Sequence, residues 1–162
     1  MTCKLCRSHF FTRETDVGQR ILHAVPKKRI AIQIKADGRQ PLELARTKAL
    51  GYSTTSLTGL FELALLGENM GFNLWDYPSR DRSSLRSALE SLIPFVSGEQ
   101  KWPYEQVVEF KTQEISPLLV LASVKFGVPR YFELAKKIDP QITERIEPFL
   151  FLQGREAGGI KP

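Results

Sequence analysis

Apolar residues in this chain recur mostly at three- and four-residue spacings, the period of a helix with one face turned to a core, and no alternating run of useful length predicts a strand. Between about Thr15 and Ile34 the positions Val17, Ile21, Leu22, Val25, Ile30 and Ile34 define an amphipathic helix, with an interruption expected near Pro26. Ala36-Asp37-Gly38-Arg39-Gln40-Pro41 reads as a turn: Asp-Gly favours reversed backbone, and Pro41 disfavours helix at Gln40. Leu42 to Met70 is expected to be mostly helical, with Leu57, Leu60, Phe61, Ala64 and Leu65 as its apolar face and Gly71 as its stop. The polar Thr54-Thr55-Ser56 stretch within it suits a cleft wall or the cap of a helix restart.

Phe72 to Pro78 reads as an aromatic connector. A helix follows from about Ser83 to Ile93 on Leu85, Leu89, Leu92 and Ile93, with Ser83 or Ser84 as cap and Pro94 as stop or kink. Ser97-Gly98 breaks the chain. Ser116 to Phe126, closed by Gly127, carries Leu118, Leu119, Leu121, Ala122 and Val124 and is expected to be deeply buried. Pro129 fits the first turn of a helix reaching about Ile138, and Pro140 opens a last one holding Ile142 and Ile146. Helices joined by short Pro/Gly turns predict an all-α fold of antiparallel hairpins stacked side by side, compatible with a bundle, a solenoid or a toroid. The expected organisation is a poorly ordered segment over 1–14, one helical domain over 15–153 and a flexible tail over 154–162.

Composition narrows this picture only in places. At 162 residues, 42% hydrophobic and 25% charged, the chain is long and apolar enough for one cored domain. A formal charge of +5 favours polyanions, but the basic residues are spread out, with short clusters at Lys27-Lys28-Arg29 and Arg80 to Arg86. No nucleic-acid module accompanies them, so no nucleic-acid partner is expected, whereas an acidic polysaccharide meets the same charge argument. Cys3 and Cys6 form one C-x-x-C with His9 nearby; a fourth zinc ligand is lacking, so neither a metal nor any other cofactor is expected. The first residues lack the roughly 7 to 15 apolar positions of a secretory signal, and no run of about 18 apolar residues exists to insert into a membrane.

Asp37-Gly38-Arg39-Gln40-Pro41-Leu42-Glu43-Leu44-Ala45-Arg46, followed by Ala49-Leu50-Gly51-Tyr52, resembles a signature block of the alginate lyase family, in which D-G-x-x-P-x-E-L-x-R leads into an A-L-x-Y helix start. Gly71-Phe72-Asn73-Leu74-Trp75 and Lys101-Trp102-Pro103-Tyr104 extend the likeness, which spans about residues 17 to 135 and corresponds to the C-terminal portion of the family. It implies an incomplete α/α toroid that cleaves an acidic, uronic-acid polysaccharide such as alginate by β-elimination. A periplasmic or secreted location is implied too. Such an enzyme neutralises the C6 carboxylate, removes the C5 proton and protonates the departing oxygen at C4.

By this resemblance Tyr52 is the catalytic tyrosine, serving as general base, general acid or both in turn, and Arg46 is the arginine that assists it or the substrate carboxylate. Lys48, four residues before Tyr52, would share its helical face and is a substrate-binding candidate. Gln40 is a candidate for substrate contact, and Trp75 and Trp102 for stacking on sugar rings. Two departures stand out. Several family members carry one more residue between the arginine and the tyrosine, and the family's Asn-His motif is missing, since His9 follows Ser8 and His23 follows Leu22. A truncated or weakly active lyase, completed by a partner chain or a further upstream region, is one expectation; a non-catalytic helical module for sugar or protein binding is the alternative. Residue by residue, the structural readings are a half-buried core tyrosine at Tyr52, core anchors at Trp75 and Trp102, and an Arg46 that bridges Glu43 or Asp37.

Overall fold

The computed structural model describes residues 15–77 and 83–145. The expectations over 1–14 and 154–162, the Cys3, Cys6 and His9 cluster, Arg80 and the Ile146 end of the last helix lie outside the described residues. Within them the chain is all-α. The helices are α1 (Thr15–Val25), α2 (Ala31–Gln33), α3 (Pro41–Leu44), α4 (Ala49–Asn69), α5 (Leu85–Val96), α6 (Ser116–Phe126) and α7 (Pro129–Ile138). The only strand-like pairing among the described residues is an isolated antiparallel bridge between Lys48 and Gln106.

Pro26 does not break the first helix. It lacks an N–H and crowds the preceding turn, and the chain answers by widening: Pro26–Ile30 is π-helical, and the Ala31 N–H reaches the Pro26 carbonyl. Dihedrals stay helical at Val25 and Ile30, so the interruption expected there is a change of pitch. Lys27, Lys28 and Arg29 stand exposed on this wide turn.

The region from Leu42 to Met70, expected as mostly helix, divides into the single turn α3 and the long α4, separated by residues 45–48. Helix α4 is apolar on most sides and runs through the centre; Leu57, Leu60, Phe61 and Ala64 are all buried. Each large side chain so buried contributes about 1.5–3 kcal/mol over an exposed one. Ser84 caps α5 in a reciprocal box with Ser87, each side chain taking the other's backbone N–H at 2.9 and 3.0 Å. Pro94 lies inside α5, which continues to Val96, so it neither stops the helix nor marks its end. Helix α6 is buried along Leu118, Leu119, Val120 and Ala122, and Gly127 ends it in left-handed conformation (φ 64°). It pairs closely with α7, whose Tyr131 and Ala135 face inward while Lys137 stays in solvent.

Candidate functional site

The site is built on the 35–53 segment. The Asp37-Gly38 turn closes through Gly38 N–H to Lys35 O (2.9 Å) and Lys35 N–H to Arg39 O (2.9 Å). Ser91 Oγ of α5 donates to Gly38 O at 3.2 Å, which fixes the turn against that helix. Arg39 is held by Asp37, with Nε and Nη2 each 2.6 Å from Oδ2, and this pairing keeps the Asp37 carboxyl below its usual range. Arg39 Nη1 also reaches the Tyr104 hydroxyl at 3.5 Å.

After α3 the chain turns sharply, and this turn places Arg46. Its guanidinium carbon lies 3.5 Å from the centroid of the Tyr52 ring, a cation over an aromatic face. Tyr52 is half-buried in the first turn of α4, and among the described residues nothing hydrogen-bonds its hydroxyl. Arg46 Nη1 also sits 3.5 Å from Glu43 Oε2, with the Arg46 side chain 51% exposed. So open a pair is worth about 0.2–1 kcal/mol, and an incoming carboxylate can displace Glu43 at little cost.

The first turn of α4 is capped from far along the chain. Ala49 N–H donates to Glu105 O (3.1 Å) and Leu50 N–H to the Gln106 side-chain oxygen (3.0 Å), while Val107 N–H reaches Thr47 O (2.9 Å). Gln106 thus supplies the acceptor that a local Ser, Thr or Asp would normally give.

Beside this turn lies a cavity of about 310 Å³ between the Asp37–Leu44 segment, the C-terminal half of α5 and Gln100–Tyr104. Gln40 and Trp102 line it. Gln40 is buried, its Nε2 donating to Ser53 O at 3.0 Å, and Trp102 packs edge-on against Phe95 (4.9 Å) and Tyr104 (5.1 Å). Arg46 and Tyr52 are not among its lining residues.

A family description reads directly on this segment: the alginate lyase family model matches residues 5–102. The chain belongs to the alginate lyase family. The crystal structure of an alginate lyase from Bacteroides ovatus aligns with it at a TM-score of 0.75 and 32% identity, over 80% of this chain and 35% of that one. The chain therefore spans about a third of that protein's length, and its hairpins are part of an α/α toroid. No curated protein matches it.

Within this alginate lyase family chain, Lys48 and Trp75 lie away from the cavity and from the face of the Tyr52 ring that Arg46 covers. Lys48 precedes α4 with φ −126° and ψ 53°, so the helical register that would carry it over Tyr52 does not reach it. Its backbone bridges to Gln106 and its side chain is exposed, while Arg46 lies over the ring. Trp75 is 6% exposed, edge-on to Phe61 (5.1 Å) and Phe126 (5.8 Å), with Nε1 donating to Glu68 at 2.7 Å. Its burial and the internal bond of its indole N–H leave little of the side chain open to a ligand. Among the described residues, no group of three or more His, Cys, Asp or Glu side chains is placed to hold a metal, and no helix is long and apolar enough to cross a membrane.

Arg39, Ser53, Tyr104 and Gln106 were absent from the sequence-derived candidates. Tyr104 stood in a family-like stretch and Arg39 and Ser53 flanked candidates, but Gln106 carries no local signal at all.

Proposed function

We propose that this chain carries part of a β-eliminating site for a uronic-acid polysaccharide, with alginate as first substrate. The observation that supports the reading most is the Arg46 guanidinium 3.5 Å from the Tyr52 ring, beside a hydroxyl without a hydrogen-bond partner among the described residues. In this reading Arg46 exchanges Glu43 for the C6 carboxylate, and the neutralised carboxylate makes the C5 proton acidic. Loss of that proton forms the C4–C5 double bond as the C4–oxygen bond breaks, and the departing oxygen takes a proton. Tyr52 handles one or both transfers at its hydroxyl. Gln40 and Trp102 are carried as substrate-side residues and Lys48 as a peripheral cation; the periplasm or the cell exterior is the corresponding location.

Incubation with alginate, followed by the ultraviolet absorbance of newly formed unsaturated uronate, tests this. Tyr52→Phe should lower the rate by about 10²- to 10⁴-fold, the range for a positioned acid or base, with its circular dichroism unchanged. Turnover equal to wild type in Tyr52→Phe overturns the assignment. That neither histidine of these residues follows an asparagine favours a second reading, a non-catalytic sugar-binding helical module. Alginate binding without any absorbance change decides for it.

A further inference from the structure

Arg46 and Tyr52 are six residues apart, and an unbroken helix would set side chains at that spacing about 120° apart around its axis. Their contact at 3.5 Å therefore depends on the break over residues 45–48, where the chain leaves helical geometry before α4 begins. Nothing local secures that break in the usual way, since Lys48, the residue that precedes α4, makes no side-chain cap hydrogen bond.

A strap from the segment after α5 secures it instead. Val107 N–H donates to Thr47 O at 2.9 Å and Ala49 N–H to Glu105 O at 3.1 Å, one bond on each side of the Lys48–Gln106 bridge. The Gln106 side chain adds a third, Oε1 accepting from Leu50 N–H at 3.0 Å, while its Nε2 donates to Val108 O at 2.7 Å. The bond to Val108 fixes which way the amide faces, so that its oxygen meets Leu50. All three bonds fall on residues 47–50, between Arg46 and Tyr52, and Lys48 O in turn accepts from Tyr52 N–H at 2.9 Å. Leu50 is 6% exposed, so without Gln106 its N–H loses its partner where water reaches it poorly, and the first turn of α4 loosens beneath Tyr52.

We infer that Gln106 is a positioning residue for the Arg46–Tyr52 pair: it keeps the chain broken between the two, so that the guanidinium stays over the ring. Its effect on rate rests on the proposed lyase reading, in which a misplacement of about 1 Å can cost on the order of 10²-fold. The geometry it maintains needs no substrate and is measurable without one.

Protons of a guanidinium over an aromatic face resonate upfield. The Arg46 Nε–H signal of ¹⁵N-labelled protein at mildly acidic pH, assigned with Arg46→Lys, thus reports the contact, and Tyr52→Leu gives the signal with no ring present. Gln106→Ala should carry the signal most of the way to its Tyr52→Leu position, and so should Gln106→Met, which keeps the side-chain length without the amide. Gln106→Glu retains an oxygen for Leu50 N–H and should stay closer to wild type. Ser84→Ala removes the cap of α5, a loss of similar size, and should leave the signal in place, which separates positioning from general destabilisation. In the alginate assay Gln106→Ala should lower the rate at least about tenfold and Gln106→Glu less. Absence of turnover in wild type removes the lyase reading and leaves the Arg46 signal to decide this one. A wild-type signal already at the Tyr52→Leu position, an unmoved signal in Gln106→Ala and Gln106→Met, or an equal displacement in Ser84→Ala overturns the inference.

Discussion

Gly38 has φ 81°, and a Cβ built on it would lie 1.9 Å from the Ser87 carbonyl oxygen of α5. Both the conformation and the space forbid a side chain there. Gly38→Ala is therefore expected to cost about 3 kcal/mol, read as a lower urea midpoint at unchanged slope, and to lift the turn off α5 so that Gln40 leaves the cavity wall. Gly98 provides the comparison: its φ is 80° but nothing lies within 4 Å of a Cβ, so Gly98→Ala should cost only about 1–2 kcal/mol. Equal losses at the two glycines would show that the close approach to Ser87 contributes nothing. The Asp-Gly turn was legible in the sequence as a turn. That its back is pressed on α5 was not, because that contact spans about fifty residues and leaves no mark on local pattern.

At the scale of elements, residue chemistry located most helices and missed how their ends are held. Ser84 as cap, Gly127 as stop and Pro129 as a first-turn residue were each readable, since the physics is confined to one turn of chain. The start of α4 was not, because its acceptor comes from Gln106, 56 residues beyond Leu50. Gln106→Ala should cost about 0.5–2 kcal/mol in urea unfolding, the usual range for a lost cap, although the residue belongs to no helix. Gln106→Glu keeps an acceptor and adds negative charge near the N-terminus of α4, so it should lose less. If both variants unfold as wild type does, the cap is replaceable by water. The same break between α3 and α4 leaves Lys48 at the boundary of the helix, its carbonyl accepting from the Tyr52 N–H at 2.9 Å while its own dihedrals are non-helical.

At the scale of the whole molecule, a part-buried hydrogen bond joins α5 to α7. The Tyr131 hydroxyl, in a residue with 0% exposure, donates to Glu90, and Arg130 Nη2 meets the same carboxylate at 2.6 and 2.8 Å. Burial first, and the Glu90 hydrogen bond second, raise the Tyr131 phenol above its ordinary value of 10.0. A raised phenol means that the folded state holds its proton more tightly than the unfolded chain does. The resulting stability is fully present below about pH 10 and is lost as pH climbs through the folded value. Thermal melts from pH 8 to 11 should therefore show Tm falling more steeply above pH 10 in wild type than in Tyr131→Phe, which starts lower at neutral pH. Parallel curves would mean that the phenol titrates alike in both states.

The sequence by itself determined the helical class, the approximate helix positions and the family, because helix period, caps, prolines and a signature block all act within a few turns of chain. It also named Arg46 and Tyr52 as a pair, which the turn before α4 brings to 3.5 Å. Tertiary structure decided the rest. It sent Trp75 to the core and Trp102 to a cavity wall, though both are tryptophans in family-like stretches, since burial depends on which distant helix arrives at each. It also brought Gln40, Ser53 and Trp102 to the wall of one cavity, a convergence of residues 40, 53 and 102 that only the folded chain creates.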